Sequence, residues 1–356
     1  MAYLAARTPG SVVRGTVFRR TGAPGRVIRT LPNATSAMVL DEPRGRLVAT
    51  TMRDVLSVEL SDEGLAEARI VGRIPGALGW VARVAVAPDG TIVVVTRNGA
   101  LLLLDAAGGA PRVVRPVEVG EVRAPLGLAI SPDGSTILTG SASGGALRRW
   151  SLATGTELPS FQGHSRPISA IACSPDGSLV ATGALDGTVR VVESATGTLR
   201  HELEGYADIG AAVAFSPDGA LLASADGVGH VWIHRVEDGA LLREVAAHTR
   251  WINSITWSSD GRTLLTAADD RSVRAFSAED LVLTRVVSTS SAVMTAAIGS
   301  GDTHLYYQDG RDLVRLPARI ESSGMDPETL LRRAEERAGV RLVGLELVPG
   351  GGDTGG

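Results

Sequence analysis

Two histidines on one predicted strand are the first candidates for chemistry. His230 and His234 alternate with Trp232, and imidazole nitrogens at this spacing could bind a metal ion. A protein metal site takes three or four ligands, and no third one lies nearby in the sequence. We therefore interpret both as structural or surface histidines and predict neither a metal site nor a cofactor. The segment 226–230 also carries two extra residues relative to comparable segments, so we expect a bulge there.

The single cysteine, Cys173, is the second candidate. It cannot form an intramolecular disulfide, and its solitude favours a reducing compartment only weakly. Cys173 lies in a predicted strand, so we interpret it as a buried, unreactive thiol rather than a nucleophile.

No familiar catalytic motif is present. The chain has no lysine, which excludes the lysine-bearing phosphate loop, and it has neither a His-Glu-x-x-His zinc motif nor a Gly-x-Ser-x-Gly elbow. Aspartates that could act as general acids share one place in a recurring turn: Asp89, Asp133, Asp176, Asp218 and Asp260. Aspartate favours turns through hydrogen bonds to its own backbone, so these residues need no catalytic role. We predict that the protein is not an enzyme.

The elements that position these residues repeat at a fixed period. The recurring turns begin at Ala87, Ser131, Ser174, Ser216 and Ser258, at successive steps of 44, 43, 42 and 42 residues. Weaker copies begin at residues 42 and 300, which makes seven. In the repeat at residues 163–205, three short apolar runs and a fourth alternating run are separated by turn residues, a pattern that favours four antiparallel strands. A period of about 40 to 45 residues with four strands per unit predicts the blade of a β-propeller.

The repeat at residues 163–205 resembles that of the WD-repeat β-propeller family. It carries Gly163-His164, Ser174-Pro175-Asp176-Gly177 and Asp186-Gly187-Thr188-Val189 in the order and spacing of that family. The resemblance covers residues 25–320 and implies an all-β, seven-bladed propeller of four-stranded antiparallel sheets. The Trp-Asp dipeptide of the family occurs nowhere in the chain, so the repeats are degenerate.

The resemblance implies a hydrogen-bonded set that stabilises each blade, formed in the family by a His, a Ser or Thr, an Asp and a Trp. We call its members here the blade lock; carried over by position, they are His164, Thr182 and Asp186, then His248, Thr266 and Asp270, and Trp150 in a third repeat. Val192 and Phe276 occupy the tryptophan place of the first two repeats.

The resemblance also implies a partner-binding funnel mouth, lined where first strands begin and just before the second turn. Tryptophan beside arginine is typical of interface hot spots, and two of the five tryptophans fall in this region. The predicted mouth residues are Trp251, Arg250, Asn253, Asp269, Trp80, Arg166 and Leu185. The alternative, that each tryptophan packs between blades as core, has equal weight for Trp251 and is slightly favoured for Trp80.

The segment before the first full repeat predicts how the ring closes. Residues 25–31 match the fourth strand at 197–203, so they can pair with the last three strands within 292–316 and remove open sheet edges. An eighth, irregular blade using residues 11–18 is the alternative. Residues 1–24 are left as an N-terminal extension.

Residues 321–356 are predicted to form a small helix-strand appendage. Asp326 is a suitable N-cap, and Pro327 suits the first helical position of a helix that ends before Gly339. Residues 340–348 alternate like a strand, and a glycine-rich tail follows. The appendage either packs on the propeller or docks another chain at a sheet edge.

Composition limits the classes of partner. The 356 residues are 44% hydrophobic but only 4% aromatic, so Val, Leu, Ile and Ala must build the core. A net charge of -4 argues against nucleic acid and anionic membranes as partners. Neither a signal-peptide run nor a stretch of about 18 apolar residues occurs, which favours a cytoplasmic protein. All 35 basic residues are arginine, which we interpret as the codon bias of a GC-rich bacterial genome.

These observations predict a non-catalytic protein-protein interaction scaffold whose funnel mouth binds a partner protein or peptide. The alternative is a sensor or regulatory subunit of a bacterial signalling or defence complex. A propeller hydrolase or dehydrogenase is less favoured, because turn formation already accounts for the recurring aspartates.

Overall fold

The fold is that of a computed structural model, which describes residues 26–30, 37–60, 68–115, 127–140, 144–206, 210–299, 302–317, 340–343 and 346–349. The chain divides into two compact units, Met1–Ala318 and Arg319–Gly356, which are described separately. Strand predictions at residues 11–18 and the helix expected over 326–338 lie outside the described residues.

The first unit is a ring of seven blades, each a sheet of four antiparallel strands, which confirms the predicted fold. Blades 1 to 3 contain β2 (Ala37–Asp41), β3 (Arg46–Thr50), β4 (Asp54–Glu59), β5 (Ala68–Arg73), β6 (Val81–Val86), β7 (Ile92–Thr96), β8 (Leu101–Leu104), β9 (Arg112–Arg115), β10 (Leu128–Ile130), β11 (Thr136–Gly140), β12 (Leu147–Ser151) and β13 (Glu157–Phe161). Within each of these blades every strand pairs with the next one in sequence.

Blades 4 to 6 follow the same order. They contain β14 (Ile168–Cys173), β15 (Leu179–Ala184), β16 (Val189–Glu193), β17 (Leu199–Leu203), β18 (Gly210–Phe215), β19 (Leu221–Asp226), β20 (His230–Arg235), β21 (Leu241–Ala246), β22 (Ile252–Trp257), β23 (Thr263–Ala268), β24 (Ser272–Ser277) and β25 (Leu283–Ser288). First strands of neighbouring blades pack side by side around the centre of the ring, whereas fourth strands are mostly exposed. Because strands alternate in direction, the turns between second and third strands lie at the end where first strands begin.

The seventh blade takes its fourth strand from the start of the chain. Its strands are β26 (Ala296–Ile298), β27 (His304–Asp309), β28 (Asp312–Pro317) and β1 (Arg26–Thr30). β1 pairs antiparallel with β28, with Arg26 opposite Arg315 and Thr30 opposite Asp312. The predicted closure by an N-terminal strand is therefore confirmed.

The core lies between blades rather than within them. Seven apolar clusters each join one blade to the next, and the cluster between the last and first blades holds Leu47, Val58, Tyr306 and Leu313. Valine, leucine, isoleucine and alanine dominate the buried residues, as the low aromatic content requires. Each blade thus depends on both neighbours to bury its two faces.

The recurring turns owe their shape to aspartate and glycine. In blade 4, Asp176 Oδ1 accepts hydrogen bonds from Ser174 Oγ (2.6 Å) and the Ser178 amide (3.0 Å), and these bonds lower the pKa of Asp176. Gly177 has a φ of 73°, a left-handed conformation that glycine adopts without strain. These contacts give the aspartate a structural role in the turn.

The bulge expected at residues 226–230 does not form. Ala225 pairs with Val231, the same six-residue separation as between Gly183 and Val189 in blade 4. Asp226 ends its strand instead of entering the turn, so the turn keeps its ordinary length.

In the second unit, the segment predicted as one strand is a hairpin. β29 (Val340–Val343) pairs antiparallel with β30 (Glu346–Pro349), and Val343 lies opposite Glu346. The alternating pattern continues through both strands, so it concealed the reversal. Over the described ranges of the whole chain, no helix has the length and apolarity that a membrane crossing requires.

Candidate partner-binding face of the ring

Two blades contain the histidine, threonine and aspartate of the blade lock, without its tryptophan. In blade 4, His164 Nε2 lies 2.8 Å from Thr182 Oγ1, and His164 Nδ1 lies 3.1 Å from Asp186 Oδ2. The equivalent distances in blade 6, from His248 to Thr266 and Asp270, are 2.7 and 3.0 Å. Each lock ties the loop that enters the blade to its second strand and second turn.

Electrostatics assign the protonation state of the blade 6 lock. Burial lowers the pKa of His248 more than the contacts with Asp270 raise it, so the imidazole is neutral at pH 7. Burial raises the pKa of Asp270, but the hydrogen bonds from His248 and Ser272 and the positive charge of Arg274 bring it well below its usual value. A neutral ring that donates Nδ1-H to an ionised carboxylate leaves Nε2 to accept from the Thr266 hydroxyl.

Other blades use different partners at the same strand position. In blade 3, Trp150 Nε1 donates to Thr139 Oγ1 at 2.9 Å. In blade 5, Tyr206 takes the place of the histidine, and its hydroxyl lies 2.7 Å from Ser224 Oγ. Sequence reasoning missed the Tyr206 pair, although a shift of 42 residues from His164 and Thr182 points to both positions.

The histidine pair of blade 5 does not act together. His234 is 5% exposed and occupies the place of Trp150, Val192 and Phe276, and its burial lowers its pKa to about 4. His230 is half-buried, with Nδ1 3.7 Å from Asp226 Oδ2. No group of three or more His, Cys, Asp or Glu residues able to hold a metal occurs in the described part of the chain.

Four of the mouth residues meet in blade 6. Arg250 is exposed and Trp251 is half-buried, while the Asp269 amide donates to the Trp251 carbonyl at 2.9 Å. Asn253 Nδ2 donates to Asp269 Oδ1 (2.7 Å) and to the Val293 carbonyl (3.1 Å). Asn253 therefore fixes Asp269 and links blade 6 to the segment that enters blade 7. A shallow depression of about 340 Å³ lies beside these residues, and it is lined by Thr249, Arg250, Asp269, Asp270 and Arg271.

The remaining mouth residues lie on blades 4 and 2. Arg166 is exposed, and the Leu185 amide donates to the Pro167 carbonyl at 2.9 Å. The Arg97 amide makes the same bond to the Trp80 carbonyl at 2.7 Å. Arg97 is thus the blade 2 equivalent of Leu185 and Asp269. Sequence reasoning missed it because Asn98 replaces the turn aspartate there.

Trp80 is not a core residue. It is 48% exposed, so the slightly favoured interpretation of Trp80 as core is wrong. The next residue, Val81, is fully buried and fills the space between blades 1 and 2 that Trp80 was expected to fill.

Comparison with known families supports the fold from sequence. The family model described as WD domain, G-beta repeat matches residues 155–193, 197–232 and 239–277. Each match begins near the fourth strand of one blade and ends with the third strand of the next, so the sequence repeat straddles two blades. No curated protein shows significant similarity to the chain.

Proposed function

Because this chain belongs to the WD-repeat β-propeller family, we propose that it is a non-catalytic scaffold whose funnel mouth binds a partner protein or peptide. Propellers of this family commonly serve as protein-interaction scaffolds and are typically not enzymes. The mouth is the end of the ring at which the first strands begin and at which the turns between second and third strands lie.

One observation carries the proposal: a tryptophan occupies the equivalent mouth position in two blades, and each tryptophan has an arginine beside it, although at a different position in each blade. Exposed Trp80 adjoins Arg97 in blade 2, and half-buried Trp251 follows exposed Arg250 in blade 6. Aromatic and arginine side chains dominate the energetics of protein interfaces. The sheets hold these side chains in place before binding, so little affinity is lost to ordering the mouth.

The two lock histidines are held in hydrogen bonds and the single cysteine is a weak nucleophile, which agrees with a non-catalytic role. Both ring nitrogens of His164 and of His248 contact partners in the blade locks. Cys173 is half-buried rather than fully buried as predicted, and this partial burial raises the pKa of its thiol to about 12, so it stays protonated and weakly nucleophilic at pH 7.

The test is affinity purification of the tagged full-length chain from its native host, followed by mass spectrometry. We expect Arg250→Glu and Trp251→Ala to lose a partner that the wild-type chain retains, while the melting temperature changes by only a few degrees. Leu199→Ala is the matched control, since Leu199 is 48% exposed on the outer strand of blade 4.

The proposal fails if folded Arg250→Glu protein retains every partner while Leu199→Ala loses one. It also fails if the purified wild-type chain retains no protein at all. The proposed setting is the bacterial cytoplasm, on the composition of 35 arginines, no lysine and one cysteine.

A further inference from the structure

The mouth side of blades 1 and 2 carries a compact group of apolar and basic side chains. We call it the arginine patch; its members are Met52, Arg53, Trp80, Arg83 and Arg97. Backbone hydrogen bonds hold its segments together: the Val81 amide donates to the Met52 carbonyl at 2.9 Å, and the Arg97 amide donates to the Trp80 carbonyl at 2.7 Å. The turns of two blades and the start of β6 therefore form one continuous surface.

The apolar part of the patch is unusually open. Met52 is 50% exposed and Trp80 is 48% exposed, and both belong to the few large hydrophobic side chains that the described surface exposes. Most of the others lie on fourth strands at the circumference of the ring, including Ile70, Val113, Leu199 and Leu241. A methionine and a tryptophan adjoining at the mouth offer an anchor for an apolar side chain of a partner.

The basic part of the patch has no acidic partner among the described residues. Arg53 is exposed. A Cβ atom added to Gly76 would lie 3.0 Å from Arg53 Nη1, so the guanidinium packs against the loop that leads to Trp80. Arg97 is exposed, and Arg83 donates to the Ala82 carbonyl at 3.1 Å. Within the described residues no carboxylate pairs with any of these three guanidiniums, although Asp54 beside them pairs with Arg73 at 2.7 Å.

Arg83 is the most buried of the three arginines, since Arg53 and Arg97 are exposed. Burial and then the positive charge of Arg97 lower the pKa of Arg83. Two neighbouring cations in partly desolvated surroundings create a positive potential that an incoming carboxylate would neutralise. As far as the described part of the chain shows, the patch therefore combines an exposed apolar anchor with positive charge that no carboxylate neutralises.

We infer that the arginine patch binds an acidic segment of a partner protein, with an aliphatic or aromatic side chain of that segment on Trp80 and Met52 and its carboxylates at Arg53 and Arg97. This inference rests on the proposed function and specifies the chemistry of its partner. A nucleic acid is disfavoured, because a polyanion extending across the mouth would meet Asp186, Asp269, Asp270 and Asp309 on the other blades.

Selection of random dodecapeptides displayed on phage, with the full-length chain as bait, tests the inference. We expect wild-type protein and Leu199→Ala to enrich peptides with several carboxylates and one large apolar residue. The double variant Arg53→Glu, Arg97→Glu should instead enrich basic peptides. In titrations of a labelled synthetic copy of an enriched acidic peptide, Arg97→Glu and Trp80→Ala should each weaken binding about tenfold.

The outcomes separate this inference from the proposed function. The inference is wrong if the enriched peptides are not acidic and if the double charge reversal does not change which peptides are enriched. If those peptides are nevertheless lost with Trp251→Ala, the scaffold proposal stands. A wild-type bait that enriches no peptide contradicts both. Tighter binding of single-stranded oligothymidylate than of any enriched peptide, lost with Arg97→Glu, would assign the patch to nucleic acid instead.

Discussion

The imidazole of His234 occupies a place in blade 5 where neighbouring blades bury an apolar side chain. Its counterparts are Trp150 in blade 3, Val192 in blade 4 and Phe276 in blade 6. His234 lies opposite Leu222 on the second strand of its blade, and Phe276 lies opposite Leu264. His234 Nδ1 is buried and has no hydrogen-bond partner among the residues that the structure describes, and burial lowers the pKa of the imidazole to about 4. A buried histidine that must remain neutral makes the folded state sensitive to acid.

The first prediction follows from this lowered pKa. The unfolded chain binds a proton at His234 near pH 6.5, whereas the folded chain binds it only near pH 4, so stability falls as the pH drops between these values. At pH 5 the loss from this residue is about 2 kcal/mol. We expect His234→Phe to be more stable than wild type by an amount that grows by this much between pH 7.5 and pH 5, measured by urea denaturation.

The reciprocal substitution is the control. Phe276→His places the same group at the equivalent site of blade 6 and should increase the acid sensitivity of the folded state. His164 and His248 are common to all three proteins, so their titration cancels from the comparison. Equal pH dependence of wild type and His234→Phe would contradict the assigned pKa.

Individual residues also mark the limit of what the sequence could predict about the mouth. The positions of Trp251 and Asp269 follow from the period of the repeat, because their backbone bond recurs in blade 4 between Pro167 and Leu185. The exposure of Trp80 does not follow, since it depends on Val81 filling the gap between blades. The side-chain bond from Asn253 to Val293 spans 40 residues and depends on how two blades meet.

At the scale of elements, the second turn of one blade supports the first loop of the next. In blade 5, the Gly229 carbonyl accepts hydrogen bonds from the amides of Ala247 (2.9 Å) and His248 (2.8 Å). Asp226 Oδ1 accepts from the amides of Val228, Gly229 and His230, which fixes the turn. The lock histidine of blade 6 is therefore positioned by a turn of blade 5.

The second prediction concerns Gly229, in the turn that supports blade 6. Its φ is 102°, and a Cβ there would overlap the carbonyl oxygen of His248. Gly205 has a similar φ of 100° but open space around its Cβ direction, so Gly205→Ala carries only the conformational strain. We expect Gly205→Ala to cost about 1 kcal/mol of stability and Gly229→Ala to cost about 2 kcal/mol more. Chemical denaturation of both variants measures the difference.

Equal losses of stability in Gly229→Ala and Gly205→Ala would show that the blade 5 turn can move away from blade 6 without cost.

The strands and turns themselves were largely predictable from the sequence, because Pro-Asp-Gly turns and apolar runs are local signals. The hairpin of the second unit was not, since β29 and β30 continue one alternating pattern. The Tyr206 and Ser224 pair was hidden by its change of residue types, although its position follows the period.

At the scale of the whole molecule, the turns on the face opposite the mouth form a chain of contacts between blades. A Cβ on Gly134 would lie 3.1 Å from the Pro88 ring, and the same proline-to-glycine packing recurs between the next three pairs of blades. Between blades 6 and 7 the proline place holds Ser259, whose amide and hydroxyl donate to Asp302 at 2.8 and 3.1 Å. A proline has no amide hydrogen and could not make the first of these bonds.

Ring closure explains why the family repeat and the blade are out of phase. Each sequence match runs from the fourth strand of one blade to the third strand of the next. A ring built in this phase has an isolated fourth strand, β1, near the start of the chain and the other three strands of the same blade, β26 to β28, near its end. β1 completes β28, and the apolar cluster of Leu47, Val58, Tyr306 and Leu313 buries the facing sides of blades 7 and 1. Removing β1 would expose the edge of β28 and weaken one of seven interdependent interfaces.

The last prediction tests this closure with two deletions. Deletion of residues 1–31 removes β1, so we expect a lower melting temperature and association through the open edge of β28, measured by calorimetry and light scattering. Deletion of residues 319–356 removes a similar length but no strand of the seven blades, and it should leave a monomeric protein with nearly unchanged melting. If the first deletion melts and scatters like the full chain, the ring does not need its borrowed strand, and the packing between blades 7 and 1 alone holds it closed.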